Sequence, residues 1–377
     1  MTSVFPAPDA LSPAYRAALR GSLFGTALGD ALGYRVETLS RTEMLERWSV
    51  AGETDLLEAL AGGDLAVSDD TQLTLATLDG LTEVLEWNNE GQAADELACI
   101  WLSYLRWYTG TGHTAPEAAP YSLPRPLNSQ AIMRQKRGPG KATLNALATG
   151  QMQFISKNVN PDALGTGALM RSAPFGYLPV ADDATVIKLA VQAAALTHGH
   201  TEALVSAAAY ALMIRYLLGA HELAVPVDSP VRLALKEVKN WLGTVEKSSL
   251  LPGDATLTRA AFGRALELAD RQSPAHEARK SFGALVLATD CLGYGLYLLL
   301  ATESLVSQGM KPSQALLQTL ADAVAVDGDS DSIAALVGSL VGARWSDAVL
   351  PAKLLEGLDA RAALELVEKA WFTQLGI

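Results

Sequence analysis

Two short acidic clusters, one near each end of the chain, stand directly before apolar runs with helical spacing. Residues 68–71 read Ser-Asp-Asp-Thr, and residues 329–332 read Asp-Ser-Asp-Ser. Serine and aspartate favour helix starts, so either cluster taken alone is typical of an ordinary N-cap. Two doubled copies predict more, because acidic pairs buried beside apolar helices need a counterion. We therefore expect the two clusters to meet in space.

The oxygen atoms of these clusters suit a divalent cation. Carboxylate and hydroxyl oxygens are the ligands that hard ions such as Mg²⁺ prefer. Asp329 and Asp331 are two residues apart, and inside a helix their side chains would diverge by roughly 200°. We therefore expect them in a turn ahead of the helix, where both can face one ion. Four carboxylates in two patches can hold two ions about 3.5–4 Å apart, as in two-metal hydrolytic sites.

Alanine and leucine dominate the 377 residues, and this composition favours helices. We predict an all-α fold, with an irregular arm at residues 1–14 and a single large multi-helix domain at residues 15–377. The first helix is rich in glycine and alanine, so other helices can approach it closely. Residues 109–140 form the longest irregular stretch, a kind of loop that often carries function. Helical spacing predicts helices at residues 15–32, 42–48, 71–87, 93–108, 141–149, 184–198, 202–218, 230–242, 256–271, 281–306, 312–326, 333–343 and 354–375.

The charge and the cysteines narrow the range of partners and compartments. A net charge of −12 argues against non-specific binding to nucleic acid, which needs many basic contacts to phosphate. Two cysteines without paired spacing fit a reducing compartment, and we expect a cytoplasmic protein. The start of the chain has no pattern of a signal peptide. The apolar run at residues 285–301 contains Asp290 and predicts a buried helix rather than a membrane span.

Six segments, in order along the chain, resemble those of the ADP-ribosylhydrolases, the ADP-ribosylglycohydrolase family that includes the dinitrogenase-reductase-activating enzymes. The resemblance covers about residues 20–343. It implies an all-helical fold with a centre of two Mg²⁺ or Mn²⁺ ions and cleavage of the glycosidic bond at the anomeric carbon of ADP-ribose. The six segments are GSLFGTALGDALGYRVE at residues 21–37, SDDTQLTL at 68–75, KRGPG at 136–140, LGTGALMR at 164–171, LTHGH at 196–200 and GDSDSIAALVGSLVGA at 328–343.

The resemblance also implies roles for individual residues. The implied metal ligands are Ser68, Asp69, Asp70, Asp329, Asp331 and Ser332. The implied catalytic residues are Glu37, Asp69 and Asp331, and the implied substrate-binding residues are Gly138, Gly165, Thr166, Gly167, Met170 and His198. The chain departs from the family pattern at four positions. Serine stands where threonine is usual at Ser68 and Ser332, Thr166 stands where asparagine is usual, and Asp327 replaces a glycine.

Several interpretations stay open at this stage. The chain could be a family member that acts without catalysis, as a binding protein or as an immunity protein against an ADP-ribosylating toxin. The ligand set alone also suits a two-metal nucleotide phosphohydrolase. The expected partners are an ADP-ribosylated protein or small molecule, with ADP-ribose as product, and a cognate ADP-ribosyltransferase; we expect a monomer. His198 suits either a helix C-cap or a ligand contact, and Arg171 suits either an ion pair with an acid, which we favour, or a contact with the ligand.

Overall fold

The computed structural model describes residues 11–179, 181–223, 229–251 and 253–377. The chain is 68% helical and the described residues form no β-strand, which confirms the predicted all-α single domain. Their 17 α-helices are α1 (Pro13–Tyr34), α2 (Arg41–Trp48), α3 (Glu53–Ala61), α4 (Asp69–Asn89), α5 (Glu96–Gly110), α6 (Lys141–Ala148), α7 (Ala173–Gly176), α8 (Asp183–Ala195), α9 (Thr201–Gly219), α10 (Pro230–Leu242), α11 (Thr256–Asp270), α12 (Ala275–Ala278), α13 (Ala288–Ser307), α14 (Pro312–Val324), α15 (Ser330–Trp345), α16 (Ala352–Glu356) and α17 (Arg361–Leu375).

Helices α1 and α15 run antiparallel with their backbones in direct contact. Small residues recur every four positions along both helices, and a Cβ at Gly25 or Gly29 would overlap the carbonyl oxygen of the residue opposite. This close approach confirms the prediction for the glycine-rich first helix. It also brings the C-terminal end of α1 beside the N-terminal end of α15. The facing pairs are Gly21 with Gly342, Gly25 with Gly338, Gly29 with Ala334 and Gly33 with Ser330.

Helix α9 lies in the core. The span Thr201–Glu222, which is α9 and the turn after it, has a mean hydropathy of 1.6 and is long enough to cross a membrane; it is the one such helix among the described residues. Its apolar window is 89% buried inside the protein, and α9 packs against α7, α8 and α10. This burial is typical of the core helix of a globular domain.

The structure corrects two of the predicted helices and adds one that the sequence prediction missed. The helix predicted at residues 281–306 begins only at Ala288, because Gly283 and Leu285 have positive φ angles of 69° and 55° that an α-helix does not allow. The helix predicted at residues 354–375 is interrupted and forms α16 and α17. The sequence prediction missed α3.

The predicted N-terminal arm is only partly within the described residues. Residues 1–10 of the arm lie outside them. Helix α1 already begins at Pro13, two residues earlier than predicted, because proline suits the first turn of a helix and Ser12 caps it. The boundary of the arm therefore stays a prediction.

Candidate metal and substrate site

The two acidic clusters meet in space, as expected. The Ser332 hydroxyl donates a 2.7 Å hydrogen bond to Oδ2 of Asp70, which lies 262 positions away in the sequence. Thr166, from a third segment, also contacts the second cluster, because its hydroxyl donates a hydrogen bond to Oδ2 of Asp329. The junction is buried, with exposed fractions of only 3% for Asp70 and 4% for Asp331. The close contact of α1 with α15 positions this junction at one end of both helices.

Asp30 on α1 fixes the N-terminus of α4 in place. Its fully buried carboxylate accepts hydrogen bonds from the backbone N–H groups of Ser68, at 2.9 Å, and Thr71, at 3.0 Å, and from the Thr71 hydroxyl. Ser68 is the N-cap of α4, and its hydroxyl accepts the N–H of Asp70 at 3.0 Å. These bonds satisfy donors that a helix start leaves without partners. Sequence reasoning did not name Asp30 as a site residue, although an acid within an otherwise small and apolar helix was a usable signal.

The start of α15 differs from the sequence prediction. Asp329 is the N-cap, but Asp331 lies inside the first turn of the helix, so the expected turn ahead of the helix is wrong for Asp331. Both carboxylates accept the N–H of Ser332, Asp329 at 3.3 Å and Asp331 at 3.0 Å. One N–H group therefore draws the two carboxylates together, at a helix end whose dipole favours negative charge. The N–H of Asp329 donates to the carbonyl of Leu285 at 2.9 Å, which anchors this helix start to the preceding loop.

The loop that carries Gly138 closes one side of the junction. The carbonyl of Arg137 accepts the N–H of Asp69 at 2.8 Å. Gly138 follows with a φ of 75°, and a Cβ there would lie 3.8 Å from Oε2 of Glu37 and 3.9 Å from Oδ1 of Asp69. Gly138 therefore faces both carboxylates. The Arg137 guanidinium forms an ion pair with Asp359 at 2.7 Å. This ion pair stabilises the loop.

A groove of about 470 Å³ borders the acidic junction. It is lined by residues 37–40, Val286 and residues 327–329. Asp327, which by the resemblance stands where a glycine is usual, accepts the N–H of Arg41 at 2.7 Å. The aspartate at this position therefore has a structural role, because its carboxylate caps the N-terminus of α2.

The predicted substrate residues separate into two groups. Residues 165–168 form a short turn beside the junction, and a Cβ at Gly167 would lie 3.1 Å from Cε1 of His198. His198 is buried beyond the end of α8, and its Nδ1 lies 2.8 Å from Oγ1 of Thr197. Met170, by contrast, packs in the hydrophobic core with 3% of its surface exposed. Its packing supports the turn at residues 165–168.

Arg171 does not form the ion pair that the sequence suggested. Its guanidinium is 1% exposed, lies 4.4 Å from the centre of the Tyr104 ring and donates to Oγ1 of Thr197 at 2.6 Å. None of the ion pairs among the described residues includes it. A buried cation held by an aromatic ring and a hydroxyl is thus part of the pocket wall, and sequence reasoning missed Tyr104 and Thr197.

The carboxyl groups of the junction have raised pKa values. Burial is the main cause for Asp69, whose pKa rises to about 8 with further contributions from the neighbouring carboxylates. Burial also raises the pKa of Asp30 to about 6, against the hydrogen bonds it accepts. Burial raises the pKa values of Asp70 and Asp331 well above the usual range. The next largest cause is the charge of Asp30 for Asp70 and the charge of Asp70 for Asp331. Among the described residues, no ion pair includes any of these carboxylates.

This set of donors fits a divalent cation. It offers carboxylate and hydroxyl oxygens, which Mg²⁺ and Mn²⁺ prefer, and its carboxyl groups form no ion pair with a basic residue of the described chain. In the part of the chain that the structure describes, no three acidic, histidine or cysteine side chains already converge on one point. A cation bound here would therefore require side-chain rotations that bring the carboxylates together.

The raised pKa values predict how the stability of the metal-free protein depends on pH. Consider a carboxyl group whose pKa is higher in the folded than in the unfolded chain. Its contribution to the stability of the fold is fully present at pH values below the unfolded pKa, which is about 3.9 for aspartate. This stability is lost as the pH rises through the folded pKa values, about 6 for Asp30 and about 8 for Asp69. We therefore expect Asp69→Asn to raise the melting temperature of the chelator-treated protein more at pH 8 than at pH 5. An equal change at both pH values would count against the buried charge cluster.

Comparison with known proteins agrees with this architecture. The profile of the ADP-ribosylglycohydrolase family matches residues 11–375. A solved structure described as an ADP-ribosylglycohydrolase-related protein complex has a TM-score of 0.58 and 20% sequence identity, and the match covers 96% of this chain and 98% of that chain; at this identity it shows the fold alone. No curated protein matches the chain. Because the family match spans nearly the whole sequence, the protein belongs to the ADP-ribosylglycohydrolase family.

Proposed function

We propose that the protein hydrolyses the glycosidic bond of ADP-ribosylated substrates and requires Mg²⁺ or Mn²⁺ to do so. Family membership supports the hydrolysis. The observation that supports metal dependence is the junction where Ser332 meets Asp70 at 2.7 Å, among buried carboxylates without a basic partner in the described chain. Charges buried together in this way need an opposite charge.

The six ligands predicted from the sequence would hold the cations. They are Ser68, Asp69, Asp70, Asp329, Asp331 and Ser332. A bound divalent cation would supply charge stabilisation and would orient the substrate and a water molecule. The number of ions, two by prediction, and the choice between Mg²⁺ and Mn²⁺ both belong to the proposal.

Glu37 is well placed to accept a proton. It borders the groove, and burial, followed by the charges of Asp329 and Asp30, raises the pKa of its carboxyl group. A carboxylate with a raised pKa is a stronger base. Glu37 would therefore take a proton from the water whose oxygen bonds to the anomeric carbon, while Asp69 and Asp331 would keep that water in place. As the bond between the anomeric carbon and the acceptor breaks, Glu37 would return this proton to the departing acceptor. The transition state would resemble an oxocarbenium ion, as in other glycoside cleavages.

The turn at residues 165–168 would bind the sugar and diphosphate part of the substrate. Thr166 is already fixed beside the acidic junction through its bond to Asp329. The net charge of −12 does not prevent binding of an anionic ligand, because backbone N–H groups in such a turn can bind phosphate oxygens. The substitution of threonine for the usual asparagine removes an amide from this turn, and substrate preference would change accordingly.

The proposed function is tested by product analysis with a panel of ADP-ribosylated compounds. The panel carries arginine, serine, nucleobase and O-acetyl linkages, each assayed with Mg²⁺, with Mn²⁺ and with excess chelator. We expect free ADP-ribose with an intact diphosphate from at least one linkage, and none in chelator. Cleavage of the diphosphate would instead indicate the two-metal phosphohydrolase, and binding without turnover would indicate the non-catalytic family member.

Three expectations from the sequence accompany this proposal. We propose a cytoplasmic location, on the grounds of the cysteine usage given above, and a monomeric state. A cognate ADP-ribosyltransferase remains a proposed partner. Size-exclusion chromatography with light scattering measures the oligomeric state directly.

A further inference from the structure

A second cavity, of about 340 Å³, lies between α13, α14 and the turn after α11. It shares no lining residue with the groove beside the acidic junction. Its volume falls within the range of pockets that hold small organic molecules. The cavity is therefore a candidate site for a ligand other than the substrate at the acidic junction.

Asp322 on α14 is the one charged residue that lines this cavity in the described part of the chain. No described residue forms an ion pair with its carboxylate or donates a hydrogen bond to it. Burial raises its pKa to about 7, and the charge of Glu53 on α3 adds to this rise. An ionised carboxylate without a partner in such a place is unfavourable, so a cation that enters the cavity would be bound favourably.

The basic residue whose charge acts on Asp322 is already engaged elsewhere. This residue is Arg279. Its guanidinium donates to the carbonyl of Ala325 at 2.8 Å and lies 3.8 Å from Glu53, and Arg279 does not line the cavity. The carboxylate of Asp322 therefore has no basic partner within the described chain.

Tyr297 on α13 supplies a second acceptor in the same cavity. Its hydroxyl donates to the carbonyl of Ser273, so its oxygen can only accept a further hydrogen bond. The charge of Asp322 adds to burial in raising the pKa of Tyr297 to about 12, which means that the two side chains lie near each other. Because both groups accept hydrogen bonds, the ligand must donate them.

The remaining wall indicates the class of cation. Mg²⁺ requires octahedral coordination by oxygen, which one carboxylate and one phenol do not supply. Leu300, Ala301 and Leu305 also line the cavity, and such apolar side chains favour contact with a hydrocarbon chain. An ammonium group carries three N–H donors, enough for both acceptors.

We propose that this cavity is a binding site for a small organic cation, specifically a primary ammonium group on a short aliphatic chain. Asp322 and Tyr297 accept hydrogen bonds from the ammonium group, and the aliphatic chain lies against Leu300 and Leu305. Because the site is separate from the acidic junction, this proposal does not depend on the proposed function.

Calorimetric titration with n-butylammonium chloride at pH 8 tests the proposal, with excess Mg²⁺ present to compete for the acidic junction. We expect saturable binding to the wild type. The neutral n-butanol has the same chain without the charge and should bind at least about tenfold more weakly. No saturable binding of n-butylammonium, or equal binding of n-butanol, would overturn the proposal.

Two variants locate the bound cation, each checked for folding by its melting temperature. Asp322→Asn keeps the shape of the side chain and removes its charge, so it should weaken n-butylammonium binding at least about tenfold. Ala301→Leu adds apolar volume to the cavity wall without a change of charge, and it should abolish binding. Full affinity in either variant would overturn the cavity as the site.

Asp331→Asn is the matched control for the location of the cation. It removes a charge from the acidic junction, and its affinity for n-butylammonium should stay within about twofold of the wild type because the two sites are distant. Loss of binding in Asp331→Asn, with full affinity in Asp322→Asn, would place the cation at the acidic junction and overturn the proposal.

The dependence of binding on pH gives an independent test. An alkylammonium group stays protonated at both pH 5 and pH 8, since the related group of lysine has a pKa of about 10.4. Asp322, with a pKa of about 7, is mostly ionised at pH 8 and mostly protonated at pH 5. The other groups near it are Glu53, Arg279 and Tyr294, whose hydroxyl donates to the carbonyl of Asp322, and none of the three lines the cavity.

We therefore expect the wild type to bind n-butylammonium at least about tenfold more weakly at pH 5 than at pH 8. The affinity of Asp322→Asn should change little between these pH values. Equal affinity of the wild type at both pH values would overturn the role of Asp322.

Discussion

Asp331→Asn should abolish detectable hydrolysis while leaving the protein folded. Asp331 lies in the first turn of α15, where it shares the N–H of Ser332 with Asp329. An amide has one oxygen fewer and no charge, so the variant would lose a cation ligand. Since loss of outer groups around a metal already costs 10–100-fold in affinity or activity, we expect a loss of at least about 100-fold here. The steady-state rate of release of free ADP-ribose measures this loss of activity.

The same substitution should stabilise the metal-free protein. Burial and the neighbouring carboxylates raise the pKa of Asp331 well above its usual range, which means that its negative charge is unfavourable in the fold. Asparagine removes this charge at neutral pH. We therefore expect a higher melting temperature in chelator and a smaller gain on adding Mn²⁺ than in the wild type.

Asp322→Asn is the matched control for Asp331→Asn. Asp322 is a half-buried acid whose pKa is raised by burial to about 7, but it lies on α14 in a different cavity. Its replacement should change stability in the same direction and leave hydrolysis within about twofold of the wild type. Equal loss of activity in both variants would show that the effect arises from general damage, and full activity in Asp331→Asn would refute its role.

Gly29→Ala should unfold the protein or destabilise it severely, although only one methyl group is added. The Cβ of an alanine at this position would overlap the carbonyl oxygen of Ala334 on the facing helix. Flexible side chains cannot relieve this overlap, because the contact is with backbone, and α1 and α15 would have to separate. Overpacking of this kind costs about 1–3 kcal/mol and sometimes more, and we expect the upper end or beyond.

Gly263→Ala provides the control for the glycine substitution. Gly263 lies in the middle of α11, and no atom lies within 4 Å of a Cβ built there. Alanine should therefore stabilise the protein by about 0.5–1 kcal/mol through its higher helix propensity. Urea unfolding of both variants measures the difference. If Gly29→Ala were as stable as Gly263→Ala, the close packing of α1 against α15 would be wrong.

Two features of the molecule could be predicted from the sequence for physical reasons. Small residues at a spacing of four along α1 allow another backbone to approach, and the structure has α15 in that place. Doubled acids ahead of apolar helices imply a shared counterion, and Asp70 does lie beside the cluster of Asp329 and Asp331. Both predictions were possible because the relevant property depends on a local pattern of a few residues.

The remaining features depend on which distant groups meet. Asp30 is one acid within a helix, and only the fold shows that it caps α4 through Ser68 and Thr71. The late start of α13 depends on a left-handed backbone at Leu285, a conformation that leucine seldom adopts and that no local pattern announces. Arg171 was expected beside an acid, but its partners are a ring and a hydroxyl from other segments.

The most direct test of the metal centre is the anomalous scattering of Mn²⁺ in crystals of the wild-type protein. We expect anomalous peaks between the side chains of Asp70 and Asp331, within bonding distance of their carboxylate oxygens and of Ser332, and none at this place in Asp331→Asn crystals prepared in the same way. Mn²⁺ found only at other places in the wild type, with the Ser332–Asp70 hydrogen bond intact, would contradict a cation site built from the two acidic clusters.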